Sequence, residues 1–172
     1  MLMVAETMLF TTLLGGYIVL RGASGSWPPP GLPRLPLAVT WVNSLVLMAS
    51  CLTMIRAWRA LSAKDPRRLR YSVAETALLG TTFLAIQGTE WVRLVRFGLK
   101  LSTGMYGATF YTLIGLHGLH VLAAVIWLLW LAARVRGDRF TFKRAAALDL
   151  CAMYWFYVCG LWVVLFPAVY LY

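Results

Sequence analysis

Five apolar runs, each long enough to cross a lipid bilayer, follow one another along a chain of 172 residues. A membrane-spanning helix needs roughly 20 apolar residues, and the runs predict helices over about 2–21, 38–60, 71–97, 106–134 and 145–171. Hydrophobic residues make up 61% of the chain and charged residues only 13%, unlike a soluble globular domain. We therefore predict an all-α fold, in which residues 1–172 form one polytopic membrane domain, a bundle of five transmembrane helices.

Basic residues concentrate in two of the four predicted loops. The second and fourth loops, with the helix ends beside them, hold 11 of the 16 Lys and Arg residues. Since cytoplasmic loops carry the excess of Lys and Arg, the N-terminus is predicted to be cytoplasmic and the C-terminus outside. The net charge of +10 then reflects topology and anionic lipid headgroups, so we expect no nucleic-acid partner.

Several side chains at predicted helix ends are typical of a membrane interface. Trp27 and Trp41 flank a proline-rich segment, 27–36, that predicts a rigid non-helical loop ending the first helix. Arg21, Arg56 and Arg59 are predicted to contact lipid headgroups there. The second loop, "SAKDPRRLRYS", fits either lipid headgroups or a partner subunit.

Two acids are predicted to lie at helix starts. Ser72 and Glu75 have the spacing of a capping box, and Asp149 is placed in the first turns of the last helix, where the helix dipole favours an acid. Pro167 should bend that helix locally. The chain's three cysteines, which lack paired spacing, are predicted to be packing residues rather than a disulfide or metal site.

Polar and ionisable groups deep inside predicted spans are the candidates for function, because lipid makes them expensive. The segment "GLHGLHV" at 115–121 puts both histidines on one side of one helix, whereas a six-coordinate heme takes ligands from opposite faces. A five-coordinate heme on one histidine, or a metal held by His117 and Glu90, stays open. No catalytic residue is predicted.

We favour a buried polar cluster as the role of these groups. The third and fourth helices are predicted to be antiparallel about residue 101, so that Gln87, Glu90 and His117 lie at similar depth. His120 is expected to form a buried hydrogen-bonding pair with His117. Glu6 is interpreted first as a protonated, hydrogen-bonded core acid and second as a carboxylate in a proton path.

Through six short segments and their order, the chain resembles subunit III of the heme-copper cytochrome c oxidases, in the short five-helix bacterial form, over essentially its whole length. The resemblance is carried by "AETMLF" at 5–10, "WPPPGL" at 27–32, "NSLVLMAS" at 43–50, "QGTEW" at 87–91, "YGATFY" at 106–111 and "GLHGLHV" at 115–121. Glu6, Glu90 and His117 match positions of the family's motifs. Asp149 stands where the family usually has Glu, and Phe156 and Cys159 replace a histidine and an aspartate.

The resemblance implies a stabilising subunit of a proton-pumping terminal oxidase in aerobic respiration, located in the bacterial inner membrane. It implies no cofactor in this chain, heme and copper in partner subunits, and a bound phospholipid. It also implies direct packing against subunit I, subunit II and small subunits in the same complex, and support for proton uptake. A larger respiratory supercomplex is compatible with it.

Other functions stay open from the sequence. Within the family, the chain could belong to a quinol oxidase or be a nitric oxide reductase accessory, since other subunits select the electron donor. Outside it, the alternatives are a small proton-coupled transporter that uses Glu6 and Glu90, and a heme-binding cytochrome.

Overall fold

The computed structural model describes residues 2–25, 27, 29, 36–135 and 142–171, with the side chains of Leu2 and of 142–144 left out of the description. This part of the chain forms five α-helices and no strand, as the sequence predicts. The helices are α1 (Leu2–Gly22), α2 (Leu37–Ser62), α3 (Pro66–Arg96), α4 (Met105–Val135) and α5 (Phe142–Phe166), and α5 continues as a π-helical segment over Pro167–Leu171. The helix type changes at Pro167, which cannot donate the regular backbone hydrogen bond, and the local bend expected there stays a prediction.

Four of the five helices are long and apolar enough to cross a membrane: α1, α2, α4 and α5 with its π-helical segment. The exception, α3, has 31 residues and is therefore about 46 Å long. Its hydropathy is reduced by polar side chains such as Thr76, Gln87 and Glu90, which are buried inside the bundle. α3 packs against both α2 and α4. Its membrane crossing stays a prediction, since its apolarity does not confirm one.

The start of α3 differs from the prediction. Asp65 precedes the helix, its carboxylate accepts hydrogen bonds from the backbone N–H groups of Arg67 and Arg68, and Pro66 takes the first helical position. Both features favour helix initiation. The predicted capping box is therefore wrong, since Ser72 is buried within the helix and Glu75 is exposed on it.

Asp149 is also farther along its helix than predicted. Because α5 begins at Phe142, Asp149 lies about two turns from the helix start, beyond the reach of the terminal N–H groups. Most of the proline-rich segment, at 28 and 30–35, lies outside the described residues. Trp27 is half-buried, and its ring packs edge-on against Tyr17 and Tyr106, with centroids 5.7 and 5.0 Å away.

Large aromatic side chains fill the interior of the bundle, and two glycines let helices approach them. The rings of Trp155 and Trp162 are fully buried. A Cβ atom added at Gly80 in α3 would lie 2.5 Å from the Trp155 ring, and one at Gly118 in α4 would lie 2.9 Å from the Trp91 ring. Small residues at helix contacts are a general means of close packing in lipid, where no hydrophobic force draws helices together.

Replacing Gly80 by Ala should destabilise the bundle by about 1–3 kcal/mol, the usual range for overpacking a core. The new methyl group would meet Trp155 and Val125, both of which are buried. Gly88→Ala, in the same helix but with nothing within 4 Å of the added atom, is the matched control. Thermal unfolding in detergent would measure both, and equal midpoints would contradict the predicted close contact.

Candidate functional site

Indole hydrogen bonds join α2 to α5 at three levels. The donors are the ring N–H groups of Trp162, Trp155 and Trp58, and the acceptors are Ser44 Oγ at 2.8 Å, Ser50 Oγ at 3.2 Å and Asp149 Oδ1 at 3.0 Å, respectively. Position numbers rise along α2 as they fall along α5, so the two helices are antiparallel. We call these three contacts the indole ladder. The two serine bonds are buried and satisfy polar groups that would otherwise be costly inside the membrane, whereas the Trp58–Asp149 bond is exposed.

Amide groups connect α2, α3 and the chain end at the level of Ser44. Asn43 Nδ2 donates to the backbone oxygen of Phe83 at 3.2 Å and to Gln87 Oε1 at 3.3 Å. Gln87 Nε2 in turn donates to the hydroxyl of Tyr170 at 3.3 Å. We call Asn43, Gln87 and Tyr170 the amide network. Farther along the same helix pair, the hydroxyl groups of Thr53 and Thr76 are 2.8 Å apart.

His117 is buried, with 1% of its surface exposed, as the sequence predicts for a core histidine. Its ring stacks on the indole of Trp162, with centroids 5.1 Å apart and planes 24° from parallel. Neither ring nitrogen has a hydrogen-bond partner within the described part of the chain. The role that the geometry supports for His117 is thus aromatic packing against the indole ladder.

The predicted cluster of Gln87, Glu90, His117 and His120 is not joined by hydrogen bonds. Gln87 belongs to the amide network, and Glu90 accepts a hydrogen bond from the Arg93 guanidinium at 2.8 Å, one turn along α3. The predicted hydrogen-bonding histidine pair is also not formed. The cluster was predicted because Gln87, Glu90 and His117 were expected at similar depth in the membrane. In the structure each of the three side chains contacts a different neighbour.

His120 contacts the acid of α1 instead. Its Nδ1 lies 2.7 Å from the backbone oxygen of Leu116, and its Nε2 lies 3.5 Å from Glu6 Oε1. A carbonyl oxygen only accepts, so Nδ1 carries a hydrogen. Nε2 therefore faces the Glu6 carboxyl, with which it can pair as two neutral groups or as two charged ones.

This pair is part of a thin contact between α1 and the rest of the bundle. The Phe10 ring packs edge-on against His120, with centroids 5.4 Å apart, and Thr7 Oγ1 donates to the Tyr157 hydroxyl at 3.3 Å. Glu6 Oε2 is buried without a partner among the described residues. Much of the remaining surface of α1, including Val4 and Val19, is exposed.

The predicted interface residues lie on the surface or near it. Trp41 is half-exposed, and its ring centroid is 4.8 Å from that of Phe166. Arg21 donates to the Tyr17 hydroxyl at 2.9 Å, while Arg56 and Arg59 are exposed. Contact of these groups with lipid headgroups stays a prediction.

Within the described residues, no group of three or more His, Cys, Asp and Glu side chains is placed to hold a metal ion. The three cysteines are free thiols, of which Cys151 and Cys159 are buried and Cys51 is half-buried.

Sequence reasoning missed Ser44 and Ser50, two acceptors of the indole ladder, and Asn43 of the amide network. The available signal was a series of polar residues in an otherwise apolar helix, at positions 43–44, 50 and 53 of α2. At 3.6 residues per turn, positions 43, 50 and 53 fall within about 80° of one another around the helix, and position 44 lies to one side of them. The tryptophans of α5 gave no comparable signal, because an indole inside a span is also a common packing residue.

The sequence model of the cytochrome c oxidase subunit III family matches residues 1–172. A relative in Nocardia farcinica, named probable cytochrome c oxidase subunit 3, is 37% identical over 168 residues, which cover 96% of this chain and 82% of the relative. A relative in Synechocystis, named cytochrome c oxidase subunit 3, is 33% identical over 170 residues, or 98% of this chain and 72% of the relative. Another relative with that name, in Bacillus sp., is 30% identical over 167 residues.

Replacing Glu6 by Ala should loosen α1 from the bundle by about 1–3 kcal/mol, because His120 would keep a buried nitrogen without its partner. Glu6→Gln should retain most of the stability, since the amide N–H group can donate to a neutral His120 ring. Thermal unfolding of both variants measures the difference. If Glu6→Gln is as damaging as Glu6→Ala, an ionised pair holds α1 in place.

Replacing His117 by Phe should leave stability unchanged or raise it, because a phenyl ring keeps the stack on Trp162 and removes two unpartnered nitrogens. His117→Ala should cost about 3–5 kcal/mol, as expected for deleting a large buried ring. The same unfolding assay applies. Loss of folding in His117→Phe would instead support a hydrogen-bonding role for the imidazole.

Proposed function

Because the chain belongs to the cytochrome c oxidase subunit III family, we propose that it acts as the non-catalytic, stabilising subunit of a proton-pumping oxidase. The chain is a bacterial membrane protein and a subunit of a terminal oxidase. In this function it holds no redox centre of its own. Heme and copper are bound by partner subunits, and the chain packs directly against subunit I and binds phospholipid.

The observation that carries this proposal is the engagement of both histidines by the chain's own residues. His120 uses one nitrogen toward the Leu116 carbonyl and faces Glu6 with the other, and His117 lies flat against Trp162. A heme or metal ligand needs a free nitrogen aimed at open space for the ion. Both nitrogens of His120 face groups of this chain, and His117, whose nitrogens are unpartnered, is buried with 1% of its surface exposed. This favours a structural role over electron transfer.

The distribution of exposed side chains supports a place within a larger membrane complex. Large apolar residues are exposed along all five helices, among them Val4, Leu45, Leu78, Leu122 and Val163. Such surfaces are stable against lipid tails or against the helices of other membrane proteins. Subunit I, subunit II, small subunits and lipids together account for this surface, and a supercomplex would add further contacts.

The proposed topology places the turn between α2 and α3 in the cytoplasm. The exposed basic side chains Arg56, Arg59, Lys64, Arg67 and Arg68 lie at or beside this turn. This agrees with the excess of Lys and Arg in cytoplasmic loops. The N-terminus is then cytoplasmic as well, and the C-terminus is outside.

Support for proton uptake is proposed for the Glu6–His120 pair. The two groups lie 3.5 Å apart, and the second carboxyl oxygen, Glu6 Oε2, has no hydrogen-bond partner in the described part of the chain. A carboxyl and an imidazole that exchange a proton form a reservoir inside the membrane. The alternative role is the mechanical attachment of α1 alone.

Affinity purification of the tagged chain in mild detergent should recover heme, with a visible absorption band, and oxygen-consuming activity. Supplying reduced cytochrome c or quinol to the purified complex identifies the electron donor. A colourless chain recovered alone would contradict the oxidase assignment. Proton flux through the isolated chain in liposomes, lost in Glu6→Gln and Glu90→Gln, would then favour the transporter.

A further inference from the structure

Two cysteines lie on the helix faces that the indole ladder brings together. Cys51 follows Ser44 by seven residues, so their side chains project from α2 within about 20° of each other. Cys159 lies about one turn from both Trp155 and Trp162 on α5. Since Ser44 and the two tryptophans make hydrogen bonds between α2 and α5, both cysteines face the contact between these helices.

The direction of the side chains brings the two sulfur atoms toward each other. Each Cα–Cβ bond in a helix tilts toward the N-terminus of that helix, and α2 and α5 are antiparallel. Cys51 therefore leans toward the Trp162 level of the ladder, and Cys159 leans back toward the Trp155 level. The Cys159 thiol accordingly makes side-chain hydrogen-bond contact with the Cys51 thiol and with the Ser50 hydroxyl. We call Cys51 and Cys159 the dithiol pair.

The dithiol pair is more accessible on one side than on the other. Cys51 is half-buried, whereas Cys159 is buried with 3% of its surface exposed. Both are free thiols in the structure. A small uncharged molecule that reaches the surface of α2 therefore meets Cys51 before Cys159.

Two adjacent thiols can hold a soft metal ion or form a disulfide, and the surroundings favour the disulfide. Two thiolates around a monovalent ion such as Cu⁺ keep a net negative charge, which is costly to bury inside a membrane. No group of three His, Cys, Asp or Glu side chains in the described part of the chain is placed to complete a metal site. A disulfide is uncharged, so it suits an apolar interior.

We infer that the dithiol pair is a modification site, at which hydrogen peroxide forms a disulfide that ties α2 to α5. The Cys51 thiolate attacks peroxide, the O–O bond breaks, and a sulfenic acid forms while the departing hydroxide takes the thiol proton and becomes water. The Cys159 thiolate then attacks the sulfenic sulfur, the S–O bond breaks, and the second hydroxide leaves as water with the Cys159 proton. The two thiols lose two electrons, and peroxide is reduced to two water molecules.

The disulfide fixes the helix register that the indole ladder selects. It lies between the Trp162 and Trp155 levels and joins residues that are roughly a hundred positions apart in the chain, and such long-range cross-links restrict the unfolded chain most. The inference goes beyond the proposed function and does not rest on it, because it depends only on the contact of α2 with α5 within this chain.

The test is peptide mapping by mass spectrometry of the chain in native membranes treated with graded hydrogen peroxide. Free thiols are blocked before digestion, and the readouts are the peptides joined through Cys51 and Cys159 and the number of free thiols per chain. Cys51→Ser and Cys159→Ser each remove one partner. Cys151→Ser is the matched control, because Cys151 is also buried on α5 but lies about 12 Å from Cys159 along the helix axis.

Peroxide should lower the free thiols of the wild type from three per chain to one, at doses that convert the exposed Met8 to its sulfoxide. Dithiothreitol should restore the free thiols. Cys151→Ser should give the same joined peptides, and neither Cys51→Ser nor Cys159→Ser should give any. The oxidised wild type should unfold at a higher temperature than the reduced form, with no such rise in Cys51→Ser.

Persistence of three free thiols at doses that oxidise Met8 would overturn the inference, since the helix backbones would then hold the Cα atoms beyond the roughly 7 Å that a disulfide tolerates. Oxidation of Cys51 alone, or joined peptides that contain Cys151 as often as Cys159, would also overturn it. Peptide mapping of the wild type decides the question even if a serine variant fails to fold. Failure of the chain to co-purify with heme would instead overturn the proposed function.

Discussion

The need to satisfy polar groups away from water governs how this bundle is assembled. Inside a bilayer an indole N–H or a hydroxyl group has no water to bond, and leaving it unpaired costs several kcal/mol. The indole ladder meets this need by pairing Trp155 and Trp162 of α5 with serines of α2, and Trp58 of α2 with Asp149 of α5. Each such bond adds only about 0.6 kcal/mol net within a membrane, so the ladder mainly selects one register and excludes others.

The other contacts depend on that register. The amide network reaches Tyr170 only when α5 and its π-helical segment lie beside α2 and α3 at the level set by Trp162 and Ser44. His117 in turn packs on the Trp162 ring, and Gly80 gives Trp155 the space to lie between helices. The helix α1, which joins through Glu6 and Thr7, is attached to this assembled unit rather than being part of its centre.

The sequence predicted the fold well and the site in part. Helix number, order and approximate bounds followed from the apolar runs, and the burial of Gln87, Glu90 and His117 followed from their positions inside them. The partners of these residues did not follow. Glu90 pairs with Arg93, and His120 pairs with Glu6. These partners could not be predicted, because a shift of one helix by a single turn changes which side chains of its neighbours it meets. The start of α3 was misplaced because Asp65 and Pro66 were read as loop residues.

Composition and the spacing of apolar residues by themselves determined that this chain is a helical membrane protein, and the order of its short motifs determined its family. Both are properties of the chain read along its length, since a helix forms from neighbouring residues and its apolarity requires only their identities. Only the tertiary structure decided which polar groups bond, that the histidines face different neighbours, and that Cys51 and Cys159 meet between α2 and α5. Those features join residues as far apart as Glu6 and His120, and their geometry depends on the rotation and register of whole helices, which sequence spacing does not specify.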